Sequence, residues 1–217
     1  IDYDRFKQIK YDNKLPKPLN YNFLDINVLW EIDPLKYPKL SDVILNIQNW
    51  DMATDSNSVG AANYAVLYYT LINNFKNIKH KKIFDKIEII DLITQTKNHL
   101  LEHFGSVNIK LGDFQKLVRG NKEIGIFGLP DVITAMKGTK YKDGKIKITH
   151  GESYISLVKF KDDKVEIESI ISYGASDNRG SKHYNDQMDL YSKFKTKKMS
   201  LDKKEVYNKG VKVYNPK

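Results

Sequence analysis

The chain has 217 residues, of which 41% are apolar and 12% aromatic, a composition typical of a folded globular protein rather than a disordered one. It contains no cysteine, which excludes disulfides, thiolate metal sites and cysteine nucleophiles, and no apolar run approaches the ~18 residues of a membrane-spanning helix. The net charge of +9 comes from lysine, with only three arginines, whereas interfaces that read nucleic-acid bases favour arginine. We therefore expect neither a nucleic-acid nor a membrane partner.

The first 105 residues have the apolar periodicity of helices. The small residues from Gly60 to Ala62 would allow another element to approach one of these helices closely. Ser41 is a plausible N-cap and Gly105 a plausible C-cap. The predicted helices cover residues 4–11, 40–50, 59–75 and 85–104, with a proline-interrupted segment after the first.

After residue 105 the pattern changes to that of strands. The turn Asp162-Asp163 joins the last two strands into an antiparallel hairpin. A helix is then expected at 183–193, and Ser200 is expected to cap a short helix ahead of a last segment at 211–214. Helices followed by antiparallel strands, without repeats or an obvious linker, predict an α+β fold in one compact unit. The predicted strands cover residues 123–127, 145–149, 153–161 and 164–173.

One helical motif matches a metal-binding pattern. His99-Leu100-Leu101-Glu102-His103 has the H-x-x-E-H spacing, which places two imidazoles on one face of a helix with a glutamate beside them. Such a pair can hold zinc while the glutamate activates a bound water. A third ligand would come from further along the chain, for which Glu152, Glu166 and Glu168 are available. A second interpretation is that both histidines lie at the edge of an ordinary packed helix.

The other common signatures of catalysis and cofactor binding are missing. The sequence has no G-x-S-x-G nucleophile motif, no Walker loop and no G-x-G-x-x-G segment, so we predict no cofactor. Periodicity and composition alone therefore leave the function open.

Several sequence blocks, taken in order, resemble the C-terminal part of the β subunit in the penicillin amidase family of acylases. This family contains N-terminal-nucleophile hydrolases, including cephalosporin and acyl-homoserine-lactone acylases. The blocks extend over nearly the whole chain, and together they are more specific than any one of them. They are Asn49-Trp50-Asp51, Ser58-Val59-Gly60-Ala61-Ala62, His103-Phe104-Gly105, Gly112-Asp113, Arg119-Gly120, Gly128-Leu129-Pro130-Asp131, Gly151-Glu152-Ser153-Tyr154, Tyr173-Gly174-Ala175-Ser176 and His183-Tyr184-Asn185-Asp186-Gln187.

The resemblance implies a fold and a mechanism. The implied fold is the C-terminal portion of an αββα sandwich, with a helical layer over 1–105 and a sheet-contributing part over 106–217. In such enzymes the N-terminal serine of the β chain attacks the acyl carbonyl, its own α-amine is the general base, and an acyl-enzyme forms. This chain begins with Ile1, so we expect the serine to be supplied by another part of the β chain and this chain alone to be inactive.

The resemblance also implies a catalytic helper and partners. In the cephalosporin-acylase branch, an acidic residue near the end of the β chain orients a histidine close to the nucleophile. Glu152 stands at the corresponding place, and a carboxylate that fixes an imidazole tautomer has a clear physical role. The implied partners are the remaining α and β polypeptide and a small N-acyl substrate, and the implied location is the periplasm or the exterior. A zinc hydrolase and a non-enzymatic basic module that binds an acidic partner remain as alternatives.

Overall fold

A computed structural model describes residues 1–75, 80–162 and 164–210. The chain divides into two compact units, in contrast to the single unit expected from the sequence. Residues Asp4–Gly151 form the larger unit, and Ile1–Tyr3 together with the residues from Glu152 onward form the smaller one. The α+β class is confirmed, since helices dominate the first half and mostly antiparallel strands the second.

The four helices predicted in the first half are present. Asp85 closes a capping box with Glu88 at the start of the longest one, and Gly105 ends it in the left-handed conformation. None of the helices in the described ranges is long and apolar enough to cross a membrane. The helices are α1 (Tyr3–Lys10), α2 (Ser41–Gln48), α3 (Val59–Asn74), α4 (Lys86–Phe104) and α5 (Leu111–Phe114), with 3-10 turns at Asn27–Glu31 and Pro34–Lys36.

Two sheets complete the larger unit. A short parallel pair joins β1 (Leu24–Asp25) to β2 (Lys82–Ile83). A four-stranded sheet has the order β4-β3-β6-β5, in which β3 and β6 pair in parallel and the other neighbours are antiparallel. Its strands are β3 (Gln115–Arg119), β4 (Lys122–Gly125), β5 (Met136–Lys140) and β6 (Ile146–Gly151).

The smaller unit is built on the predicted hairpin. Strands β7 (Tyr154–Lys161) and β8 (Lys164–Ile171) pair in antiparallel register over their full length, and β9 (Lys197–Met199) adds to β8. Two short helices follow, α6 (Met188–Tyr191) and α7 (Lys203–Lys209). In the turn expected at Asp162-Asp163, Asp162 has a positive φ of 52°, and Asp163 lies outside the described residues. The segment predicted at 211–214 also lies outside them.

The helix predicted at 183–193 is wrong, because only α6 is helical there. The preceding residues form successive turns in which short polar side chains accept backbone N–H groups. Ser176 Oγ accepts from Asn178, the Asn178 side chain from Gly180, and Ser181 Oγ from His183. Such local bonds compete with the helical ladder and replace it here.

Two predicted helix caps are also wrong. Ser41 is the first residue of α2 rather than its cap, and its hydroxyl donates to the Pro38 carbonyl 3.0 Å away. The last helix does form, but Asp202 caps it by accepting from the Glu205 N–H at 2.8 Å, while Ser200 donates to the Glu205 carboxylate. An aspartate three residues ahead of a glutamate is as good a capping signal as serine, and it prevails here.

The core of the larger unit surrounds α3. Ten of its sixteen residues are buried, as expected of a helix that is apolar on every side. The predicted close approach is confirmed, because a Cβ added at Gly60 would lie 2.4 Å from the Cβ of Trp50. The buried Tyr64 hydroxyl is paired with that of Tyr21 at 2.6 Å.

The turn between β5 and β6 packs against the end of α4. His99 Nε2 lies 2.8 Å from the carbonyl oxygen of Gly144, so that nitrogen is the donor. Gly144 has a φ of +70°, and a Cβ there would lie 2.3 Å from Cγ of His103. The absence of a side chain at Gly144 therefore allows the hairpin to lie directly on the two imidazoles.

We predict that Gly144→Ala lowers the free energy of unfolding more than Gly105→Ala. Both glycines have left-handed φ angles near +70°, which costs an alanine about 1–2 kcal/mol. Nothing lies within 4 Å of a Cβ at Gly105, whereas at Gly144 the added methyl meets His103 and adds about 1–3 kcal/mol of overpacking. Urea unfolding of the two variants measures the difference, and equal losses would contradict this packing.

We also predict that His99 makes stability depend on pH. Burial lowers the pKa of His99 below its ordinary value of 6.5, with a smaller lowering from His103 and Lys140 and an opposing effect from Gly144 and Glu102. The unfolded chain therefore binds the proton first, so stability is highest above pH 6.5 and falls as the pH decreases toward the depressed pKa.

Urea unfolding between pH 7.5 and 5.5 measures this effect. In His99→Gln the amide N–H can still donate to Gly144, but the side chain does not titrate. We expect a flatter pH dependence in the variant. A slope equal to that of the unsubstituted chain would assign the pH dependence to other groups.

Candidate functional site

The predicted helper Glu152 lies where β6 ends and β7 begins. Its side chain is half-buried. Its backbone carbonyl accepts a hydrogen bond from the hydroxyl of Tyr191, 2.9 Å away. Next to it, the carbonyl of Ser153 accepts from the N–H of Ser172 at 3.2 Å. The backbone that carries this carboxylate is therefore held by groups from two other segments of the smaller unit.

Tyr191 is in turn positioned by the blocks that follow the hairpin. Gln187 is buried, and its side-chain oxygen accepts the N–H of Ile171 at 3.1 Å. Its own N–H donates to the carbonyl of Tyr173 at 3.0 Å, and the Tyr191 N–H donates back to the Gln187 carbonyl at 2.9 Å. Gln187 thus connects the end of β8 to the start of α6.

Gly174 allows the two blocks of this segment to meet. A Cβ at Gly174 would lie 2.2 Å from the carbonyl oxygen of His183, so that only glycine fits without a shift. Two residues further along the chain, the N–H of Ser176 donates to the same His183 carbonyl oxygen at 3.2 Å. The blocks Tyr173–Ser176 and His183–Gln187 are therefore structural partners, and their residue types are explained by this close backbone contact.

A carboxylate on a fixed backbone can orient another group. Only the side-chain torsions of Glu152 remain to be ordered when its carboxylate accepts a hydrogen bond. An imidazole whose Nδ1–H donates to such a carboxylate is held in one tautomer, with the other nitrogen free to exchange protons. Sequence reasoning identified Glu152 from the resemblance, and its role stays a prediction.

Tyr191 and Gln187 are the supporting residues whose positioning role the sequence analysis missed. Gln187 ended a quoted block, but a glutamine gives no sign of burial. Tyr191 lies three residues after Met188, the first residue of α6. From the sequence, its aromatic ring cannot be distinguished from an ordinary core side chain. Gln187 is a polar residue at a position of the helical period that is otherwise apolar. That is the one signal in the sequence that could have identified it as buried.

The H-x-x-E-H residues of α4 are not assembled as a metal site. The rings of His99 and His103 are adjacent, with centroids 4.5 Å apart, but Nε2 of His99 is occupied by the Gly144 carbonyl. Among the possible third ligands, Glu166 pairs with Lys159 and Glu168 accepts from the Thr196 hydroxyl. In residues 1–75, 80–162 and 164–210, no group of three or more His, Asp or Glu side chains is arranged to hold a metal ion.

Other blocks of the resemblance are also sites of close packing. Gly112 and Gly125 meet so closely that a Cβ on Gly125 would lie 2.6 Å from the Gly112 carbonyl oxygen. The Gly112 N–H donates to the carbonyl of Ser56 at 2.7 Å. The buried Gln115 side chain donates to the carbonyl of Gly128 at 2.7 Å. These blocks hold the larger unit together rather than forming a reactive centre.

Comparisons with known proteins agree with the resemblance. An acyl-homoserine lactone acylase PvdQ of Pseudomonas syringae pv. syringae (strain B728a) is 33% identical over 87 residues, 39% of this chain and 11% of the relative. PvdQ of Pseudomonas fluorescens (strain Pf0-1) is 28% identical over 85 residues, 38% of this chain and 11% of the relative. The matched part therefore spans about a tenth of these curated relatives.

A solved structure and a family profile were also matched. The thermostable penicillin G acylase from Alcaligenes faecalis shares 12% identity at a TM-score of 0.35, covering 88% of this chain and 47% of that chain. The profile of the family described as penicillin amidase matches residues 1–208. Because this match extends over nearly the whole sequence, the chain belongs to the penicillin amidase family.

Proposed function

We propose that this chain is part of an N-acyl amidohydrolase, an acylase that cleaves the linear amide bond of an N-acyl substrate. The family match over residues 1–208 carries the proposal. The proposed substrates are acyl-homoserine lactones, as named for the PvdQ relatives, and β-lactam side chains, with quorum quenching or antibiotic metabolism as the corresponding roles. We further propose a periplasmic or secreted enzyme, as the family resemblance implies.

The proposed mechanism is nucleophilic acyl transfer. The hydroxyl of an N-terminal serine, supplied by another part of the β chain, attacks the acyl carbonyl, and the α-amine of that serine takes the proton. The C–N bond breaks, the amine leaves with a proton, and an acyl ester remains on the serine. Water then attacks the ester and releases the acid. Glu152 does not touch the substrate in this scheme.

Glu152 is instead proposed as a positioning residue. Its carboxylate would accept a hydrogen bond from an imidazole that lies close to the serine, which keeps that imidazole in one tautomer. The hydrogen bond from Tyr191 to the Glu152 carbonyl supports this role, because it fixes the backbone from which the carboxylate extends. We propose that Gln187 positions Tyr191 and that Tyr191 in turn positions Glu152.

An exposed apolar face on the hairpin supports the proposal that further acylase polypeptide packs here. Cross-strand partners share a face of a sheet, and the pairs Val158–Ile167 and Phe160–Val165 lie on one face with Met199 beside Ile167. Phe160 is 77% exposed and Val158 42%. Contiguous apolar surface of this kind marks interaction sites. We propose that this face joins the αββα sandwich of the complete enzyme.

We predict that Phe160→Asp separates this chain from its companion polypeptide. A carboxylate buried at the interface would lose its hydration without a partner, so we expect at least a tenfold decrease in co-purified companion chain. The control is Leu35→Asp, which changes an equally apolar side chain, 87% exposed, in a 3-10 turn of the larger unit.

Intact-mass spectrometry of the native preparation identifies the companion chain and its first residue. A companion that begins with serine agrees with the proposal. A preparation that hydrolyses N-acyl substrates with the 217-residue chain as its sole polypeptide would overturn the proposed source of the nucleophile.

We predict that Glu152→Gln lowers kcat of the assembled acylase by on the order of 100-fold and moves the pH at which activity is half-maximal. An amide can present its N–H₂ to the imidazole, so the tautomer is no longer fixed. The matched control is Glu166→Gln on the same hairpin, whose carboxylate is exposed and pairs only with a surface lysine, Lys159, at 3.3 Å.

The measurement is the pH profile of N-acyl homoserine lactone hydrolysis for both variants. A merely structural role for Glu152 would lower the amount of folded enzyme without moving the profile. A Glu152→Gln enzyme with an unchanged profile and unchanged kcat would remove Glu152 from the mechanism.

A further inference from the structure

A cavity of about 370 Å³ lies in the larger unit beside the end of α4. Its volume is within the range of small-molecule binding sites. It is formed by the last turns of α3, the face of α4 that carries the two histidines, and the β5–β6 hairpin. The residues that line it are Val66, Tyr69, Thr70, Asn73, Asn74, Gln95, His99, His103, Phe114, Lys140, Tyr141, Gly144, Lys145 and Ile146.

The inner wall of the cavity is apolar and rigid. Val66, Phe114 and Ile146 are each 4% exposed or less, so their positions are fixed by the core behind them. Phe114 also packs edge-on against the His99 ring, with centroids 6.1 Å apart. Such a surface can cover a short hydrocarbon segment but offers it no hydrogen bond.

The mouth of the cavity is polar, and the nearest carboxylate to its histidines belongs to Glu102, whose Oε1 lies 3.9 Å from Nε2 of His103 without lining the cavity. Its lining includes two lysines, two histidines and three side-chain amides, and no aspartate or glutamate. Lys145 is shared between Glu123 and Asp143 behind it, at 3.8 Å from each. Lys140 has no carboxylate partner in the described part of the chain.

Both histidines line the cavity, with their ring centroids 4.5 Å apart. Because Nε2 of His99 donates to the Gly144 carbonyl, its Nδ1 is the remaining polar atom of that ring. Lys140 also lines the cavity, and its charge contributes a small lowering of the pKa of His99. The negative charge of a bound anion would favour the protonated imidazole.

We propose that this cavity binds a small organic carboxylate, with its apolar body on Val66, Phe114 and Ile146 and its carboxylate between Lys140 and the two imidazoles. An uncharged ligand would leave the lysine unpaired, and a bare inorganic anion would not use the apolar wall. The proposal concerns binding alone and does not depend on the amide hydrolysis proposed above.

The test uses the full chain labelled with ¹³C in its histidine rings and titrated with hexanoate. The chain has five histidines, of which two line the cavity and the others are internal controls. We expect hexanoate to shift the signals of His99 and His103 in a saturable way and to leave those of His80, His150 and His183 unchanged. Shifts spread over all five, or none at all, would overturn the proposal.

Two comparison ligands and two variants separate charge from general affinity. We expect hexanamide and inorganic phosphate to bind at least tenfold more weakly than hexanoate, and equal affinity of either one would contradict the assignment.

Lys140→Gln should weaken hexanoate binding about tenfold, as expected for one charge-assisted hydrogen bond. Lys137→Gln, an exposed lysine on the same strand that does not line the cavity, should leave the affinity unchanged. Equal effects of the two substitutions would point to surface charge alone.

Discussion

The larger unit depends on the burial of helix α3 on every side. A helix surrounded by other elements must present small residues wherever a neighbour crosses it, and every polar side chain on it must find a partner. Gly60 meets the first requirement beneath Trp50. The amide nitrogen of Asn63 meets the second by donating to the carbonyls of Val59 and Val107, at 3.0 and 2.8 Å, whereas its buried Oδ1 accepts no hydrogen bond from the described residues. Tyr69 accepts the N–H of Gly138 at 2.9 Å and so ties the sheet to the same helix.

Helices α1 to α4 were predictable from the sequence to within a residue or two because their signals are local. The capping box at Asp85 and the left-handed Gly105 lie at the two ends of a clear apolar period. The strand β5 (Met136–Lys140) was not predictable, since its sequence MKGTK alternates only weakly between apolar and polar residues. Pairing with β6 is what makes this segment a strand. The turns that replaced the helix expected at 183–193 depend on which side-chain oxygen each N–H finds, and composition does not specify that choice.

The candidate sites differ in how far the sequence could define them. Glu152 was found because it lies in a contiguous block, whereas its support from Tyr191 joins residues 39 apart in the chain. The cavity beside α4 is assembled from four separate segments, and the histidine motif gave only one of its walls. The same motif indicated zinc from its spacing, but among the described residues the fold brings no third His, Asp or Glu side chain to the pair. Tertiary contacts, which periodicity does not report, decide both outcomes.

The hairpin has a consequence for how the protein avoids aggregation. Strand β7 is one of the two edge strands of its three-stranded sheet, and it carries an apolar face that is open in this structure. Such an edge is a template for uncontrolled pairing with other chains, which proteins oppose with lysines along the strand. Lys159 and Lys161 hold those positions near the tip, and Lys164 begins the next strand. Lysines at these positions oppose edge-to-edge pairing of the hairpin, so part of the basic charge of this chain serves to limit aggregation.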